Sequence, residues 1–203
     1  MNLTGKYRLM NPMKLVVMDA PNTYDGSQID PLWAYEYTDV RGDSILIFRG
    51  AMDVAAANVK DIEDEKNQKK IKGDCLIHFI VERFDSPVSM RQAYYLQRML
   101  IVCAQDILRN FGVDAEREGD DLFANDGKLT VSIATAGISS EKIHCGINLT
   151  GAGTPPEANA IGLSELGIDP DLWKDIGTAI AERFILEIED IESDICKTRP
   201  LGG

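Results

Sequence analysis

The stretch from residue 113 to residue 149 constrains the fold most. It contains Gly119-Asp-Asp-Leu-Phe-Ala-Asn-Asp-Gly-Lys-Leu-Thr-Val-Ser-Ile-Ala-Thr135 and then Lys142-Ile-His-Cys-Gly-Ile-Asn-Leu149. Short β-branched apolar runs bounded by turn residues read as consecutive strands at 113–118, 122–124, 128–135 and 142–149, a meander. Asn125-Asp-Gly127 carries a strong hairpin-turn signal.

Helices flank this meander. From 89 to 111 the apolar residues Leu96, Met99, Leu100, Cys103, Ile107 and Phe111 recur at three- and four-residue steps, and Asn110-Phe-Gly112 supplies a stop. From about 170 to about 197, Leu172, Ile176, Ile180, Phe184, Ile188, Ile191 and Ile195 form a second stripe. Earlier, residues 14–18 and 44–48 read as strands, the latter bounded by Gly42 and Gly50. Ser27 is the expected N-cap of a short helix with Pro31 in its first turn. Residues 76–81, Leu-Ile-His-Phe-Ile-Val, are too continuously apolar for a one-faced strand and belong at the centre of a sheet covered on both sides. Residues 60–74 are almost wholly charged and predict an exposed, mobile connection. The order predicts an α+β fold in one domain over residues 1–203: a mixed, mainly antiparallel sheet backed by helices, with a frayed tail at about 198–203.

Composition excludes some function classes. The 203 residues carry 33 acidic against 21 basic side chains, a net charge of −12, which argues against a nucleic-acid binder. No apolar run approaches the roughly 20 residues needed to span a bilayer, and residues 1–10 lack a signal-peptide core. A cytoplasmic protein with no membrane partner is expected. The four cysteines lie far apart and read as free thiols.

The segment from the helix at 90–111 through Leu149 resembles the centre of the biotin and lipoate protein ligases, within the class II synthetase superfamily. There an acidic pair, a leucine, a turn and a lysine precede a Gly-Ile-Asn strand; here these are Asp120-Asp121-Leu122, Lys128 and Gly146-Ile-Asn148. Tyr24-Asp-Gly-Ser-Gln28, Phe48-Arg-Gly-Ala-Met-Asp-Val54 and Ile77-His-Phe-Ile-Val-Glu82 resemble, more closely, a mainly archaeal family of unknown function, DUF366, placed in that superfamily by fold. The resemblance implies a pocket over the sheet, acyl-group chemistry, and ATP or an acyl thioester as co-substrate. Departures count against the full reaction. The ligases wrap phosphates in a Gly/Arg-rich loop, where this chain has Arg49-Gly-Ala-Met-Asp-Val54 and then the charged stretch. The acyl-thioester transferases use a cysteine on a later loop, and none stands there. A non-catalytic sensing or protein-interaction module is the competing expectation.

Eight residues are candidates. By the resemblance, Lys128 would stabilise an acyl or phosphate oxygen; its ordinary alternative is a solvated lysine after a turn. Asp121 would orient it, since alternation sends only one of Asp120 and Asp121 inward. Asn148 would hold the lysine's strand or a ligand. Arg49, Met52 and Asp53 occupy the position of the ligases' substrate loop, with a surface arginine as the plainer reading of Arg49. His78 and His144, the only histidines, would join an acid–base pocket or be satisfied in the core. Each has a cysteine one or three residues away, which alternation turns to the opposite face, so no zinc site is expected. The second helical stripe would pack on the sheet or on a second copy in a homodimer.

Overall fold

In the computed structural model, which describes residues 13–201, strand β3 (Lys72–Arg83) is the middle of the main sheet. Its residues from Leu76 to Val81 are all fully buried, as a run apolar on both faces requires. β3 pairs antiparallel with β2 (Ser44–Asp53) on one side and β8 (Glu141–Asn148) on the other. β1 (Lys14–Val17) lies parallel to β2 at one edge, and β7 (Thr130–Ala136) antiparallel to β8 at the other. The sheet order is β1-β2-β3-β8-β7. The signal-peptide reading of residues 1–10 and the end of the expected tail lie outside the described residues.

Helices α3 (Met90–Asn110) and α4 (Trp173–Lys197) cover one face, burying Ile45, Ile47, Ile77, Phe79, Ile143, Cys145 and Ile147. Ser89 caps α3 by accepting from the Gln92 amide. The buried stripe of α3 includes Ala93, Leu96, Leu100, Ile101, Ala104 and Leu108, while Met99, Ile107 and Phe111 sit at its margin. α4 buries Ile176, Ile180, Phe184 and Ile188, but Ile191 and Ile195 emerge into solvent, because the helix outruns the sheet.

Leu46, Phe48, Leu76 and Ile80 alternate to the other face and form a smaller core with Tyr24, Ala34 and Met52. A short 3₁₀ turn (Ser27–Ile29) and α1 (Trp33–Thr38) close its near end. Ser27 lies inside that turn; Gly26, at φ +90°, takes the capping position, and the Ser27 hydroxyl donates to Asp25.

Three expectations change. β2 does not stop at Gly50 but runs to Asp53, with a register irregularity between Gly50 and Met52. The charged stretch is exposed but structured: Asp61 caps a short helix, α2 (Ile62–Lys66), and residues 72–74 open β3. The meander splits. β4 (Glu116–Glu118), β5 (Asp121–Ala124) and β6 (Gly127–Lys128) form a separate three-stranded sheet, and buried Leu129 marks the step into β7. The β5–β6 turn is Asn125-Asp126, both at positive φ. Gly127 is needed for another reason: a Cβ there would lie 2.7 Å from that of Ile161.

Candidate functional site

A groove crosses the face of the sheet opposite the long helices. At one end is a cavity of about 300 Å³ lined by Lys128, Lys69, Lys70, Lys72, Asn148 and Thr154 among others. At the other is a recess of about 120 Å³ lined by Tyr24, Ile29, Ser132, Ile133 and His144 among others. Met52, Asp64, Ile71 and Val131 line both, so the two are continuous.

Lys128 is held by its backbone. Its N–H donates to Asn159, its carbonyl accepts from Ile161, and the Asn148 amide also donates to that carbonyl at 3.1 Å. Asn148 donates at 3.1 Å to the Ile161 carbonyl as well, which fastens β6 to the loop beyond β8. The Lys128 ammonium lies 2.7 Å from Asp121. Burial pushes the Asp121 carboxyl up, and Lys128 partly offsets this. Asp120 turns instead to Arg98 at 2.7 Å, Gln97 and Ser132.

His78 and His144 point from adjacent strands into the same face. His78 pairs across with Gly146 and Ile80 with His144, so the histidines are diagonal neighbours. Nδ1 of His78 lies 3.0 Å from Nε2 of His144, and Nε2 of His78 lies 3.2 Å from the Gly50 carbonyl. Tyr24 stacks on His144, ring centroids 3.5 Å apart. Burial lowers His78 to about 4 and holds His144 well below the usual imidazole range. Both are neutral at pH 7.

The other candidates are distributed. Met52 floors the groove. Asp53, on the rim, pairs with Lys72 at 2.9 Å. Arg49 is not brought to the groove. It alternates to the helix face, lies over Trp173 with its guanidinium 5.7 Å from the ring, and sits 3.8 Å from Asp171. Sequence alone does not single out Tyr24 or the lysines of residues 69–72, because a tyrosine in a turn-rich loop and lysines in a charged run carry no local signature of a site. Nor does it reveal that Lys142 and Glu82 form a buried ion pair at 2.8 Å, each 1% exposed. Glu82 also accepts from the Leu32 amide and the Ser140 hydroxyl. Among the described residues no group of three or more His, Cys, Asp or Glu side chains could hold a metal ion, and no helix is long and apolar enough to cross a membrane.

A five-stranded, mainly antiparallel sheet with two long helices on one face and a groove on the other is the biotin and lipoate ligase fold. A biotin protein ligase variant from Aquifex aeolicus in complex with biotin superposes with a TM-score of 0.60 at 14% identity, over 88% of this chain and 71% of that one. Lipoate-protein ligase A bound with ATP gives 0.53 at 12%, over 85% of each. These likenesses are of fold. The chain belongs to the family described as a domain of unknown function, DUF366, whose pattern matches residues 13–199. It is 39% identical over 193 residues to an uncharacterized protein of Methanocaldococcus jannaschii, covering 93% of this chain and 86% of that one. A solved protein of unknown function from Pyrococcus horikoshi matches with a TM-score of 0.86 at 41% identity, over 93% of this chain and 99% of the other.

Proposed function

We propose that the groove binds a small acyl or carboxylate ligand, alone or carried on a nucleotide or thioester. Its anionic part would lie among Lys128, Lys69, Lys70 and Lys72, and its apolar body along Met52, Ile71 and Val131. The observation that carries this reading is the pairing of ends: Lys69, Lys70, Lys72 and Lys128 line one end of a groove whose floor is apolar, with Asp64 and Glu157 beside them. Asp64, Asp53 and Asp121 hold Lys69, Lys72 and Lys128, so an anion there competes with carboxylates for three of the four ammoniums. The ligase and lipoate relatives named above hold biotin or ATP by their own descriptions, which favours a ligand of this size. If acyl transfer follows, Lys128 would stabilise a developing oxyanion, a role supported by its pairing with Asp121.

A non-catalytic sensing module is the second reading, and Arg49 favours it. The arginine at the position of the ligases' phosphate loop is turned to the helix face, and among the described residues no arginine lines the groove for an adenylate. The test is calorimetric titration of octanoate and of a non-hydrolysable octanoyl-adenylate analogue, with Lys128→Ala alongside. Binding weakened at least tenfold in the variant supports the reading, as expected for loss of a charge-assisted contact. Equal binding by both proteins, or none by either, removes it. Turnover of ATP or of octanoyl thioester, abolished in Lys128→Ala, separates enzyme from sensor.

A further inference from the structure

The far end of the groove has chemistry of its own. The Gly50 carbonyl can only accept, so Nε2 of His78 must carry the proton. A neutral His78 then has a bare Nδ1, which accepts from Nε2–H of His144. His144, neutral in turn, is left with a bare Nδ1 that makes no hydrogen bond to the described residues, yet is not sealed from solvent as the unpartnered atoms of Ser44, Gln97 and Glu141 are. His144 is 1% exposed and its ring lines the small recess, clamped by Tyr24 at an interplanar angle of 9°. Gly146 lies against the same ring: a Cβ there would press on Leu76 at 2.9 Å and Val131 at 3.1 Å, and would meet Cε1 of His144 at an ordinary contact of 3.6 Å. An acceptor with a fixed tautomer and only solvent as its partner favours a ligand donor over a group that lacks one.

We propose that His144 is a specificity-determining residue that recognises an O–H or N–H at the end of the groove ligand remote from Lys128, with His78 as the positioning residue that sets its tautomer. This deepens the proposed function and rests on it for the position of the rest of the ligand. His144 and Asn148, which touches the Lys128 carbonyl, are four residues apart on β8, about 13 Å of strand. The ligand is therefore a medium-length acyl chain or ring system, polar at both ends and apolar between.

Two measurements on the intact protein test this. Nitrogen NMR of the imidazoles should show both rings neutral at pH 7, with a pyridine-like Nδ1 and a protonated Nε2 in each. A protonated Nδ1 on His144 would overturn the proposal whatever the ligand. Octanol and its methyl ether, which differ by a donor and carry no charge, are then titrated against the same signals. Octanol should bind about tenfold tighter than the ether and shift Nδ1 of His144. The preference should vanish in His144→Phe, and in His78→Phe with His144 intact. Equal binding of alcohol and ether, or of neither, overturns donor recognition, even where octanoate binding remains dependent on Lys128. Alcohol preference with octanoate indifferent to Lys128 would instead remove the anion-end reading and keep this one.

Discussion

At Gly50 an added Cβ would lie 1.7 Å from the Asn22 carbonyl oxygen, because the segment carrying Tyr24 runs directly over β2 there. The same residue's carbonyl accepts from His78. Gly50→Ala should therefore cost about 3 kcal/mol in a denaturant titration and loosen Tyr24 from His144, seen as changed tyrosine fluorescence. The Glu82–Lys142 pair gives a prediction of opposite logic. Glu82→Leu leaves an ammonium buried without its partner and should cost about 3–5 kcal/mol, whereas Glu82→Leu with Lys142→Met should recover most of it. Full additivity in that double-mutant cycle would refute the coupling. The histidines set an acid dependence. His78 titrates near 4 when folded against an ordinary value of 6.5, so the unfolded chain binds the proton first. Stability present above pH 6.5 should fall progressively as the pH drops toward 4, by roughly 3 kcal/mol for His78 alone. Asp121, raised by burial, acts in the opposite sense in the carboxylate range, so the histidine contribution is read as the difference between wild type and His78→Phe.

Elements were legible in proportion to how far burial alone defines them. Strand 76–81 follows from its unbroken apolar run, since the sheet buries both its faces, and both long helices follow from periodicity, since the sheet imposes a face on each. Where the stripe on α4 outruns the sheet, periodicity persists but burial does not: Ile195 is 63% exposed and Phe184 fully buried. Phe184→Ala should lower stability by about 3–5 kcal/mol and Ile195→Ala by less than about 0.5 kcal/mol. An equal cost at both would mean that a second surface covers Ile195. Residues 60–74 were hard to read because their order is set by capping and strand register, not by an apolar face. Asp61 accepts from the amides of Glu63 and Asp64, and Asp53 pairs with Lys72 across the ladder. Of the candidate site, Lys128 with Asp121 was legible through the resemblance to the ligases' acidic pair, turn and lysine, and the structure brings them within 2.7 Å. The approach of His78 to His144 depends on strand register across 66 residues, which no local pattern carries.

Across the whole molecule, charge and site pull in opposite directions. A net charge of −12 repels itself in the compact state, while the groove gathers lysines. Added salt should raise the unfolding midpoint slightly and weaken octanoate binding at the same time, because it screens both the repulsion and the attraction. If binding is unchanged or tightens while the midpoint rises, the lysines are not what holds the anion. The pairing of Asp53 with Lys72 has a further consequence for the chain between them. Its two ends leave the sheet about 5 Å apart, the spacing of neighbouring strands. A segment anchored like this is a cassette. Its lysines, its short helix and its length can be exchanged, even for a glycine- and arginine-rich loop, without re-threading the ladder on either side. The scaffold thus keeps the ladder apart from the segment that carries Lys69 and Lys70 to the groove.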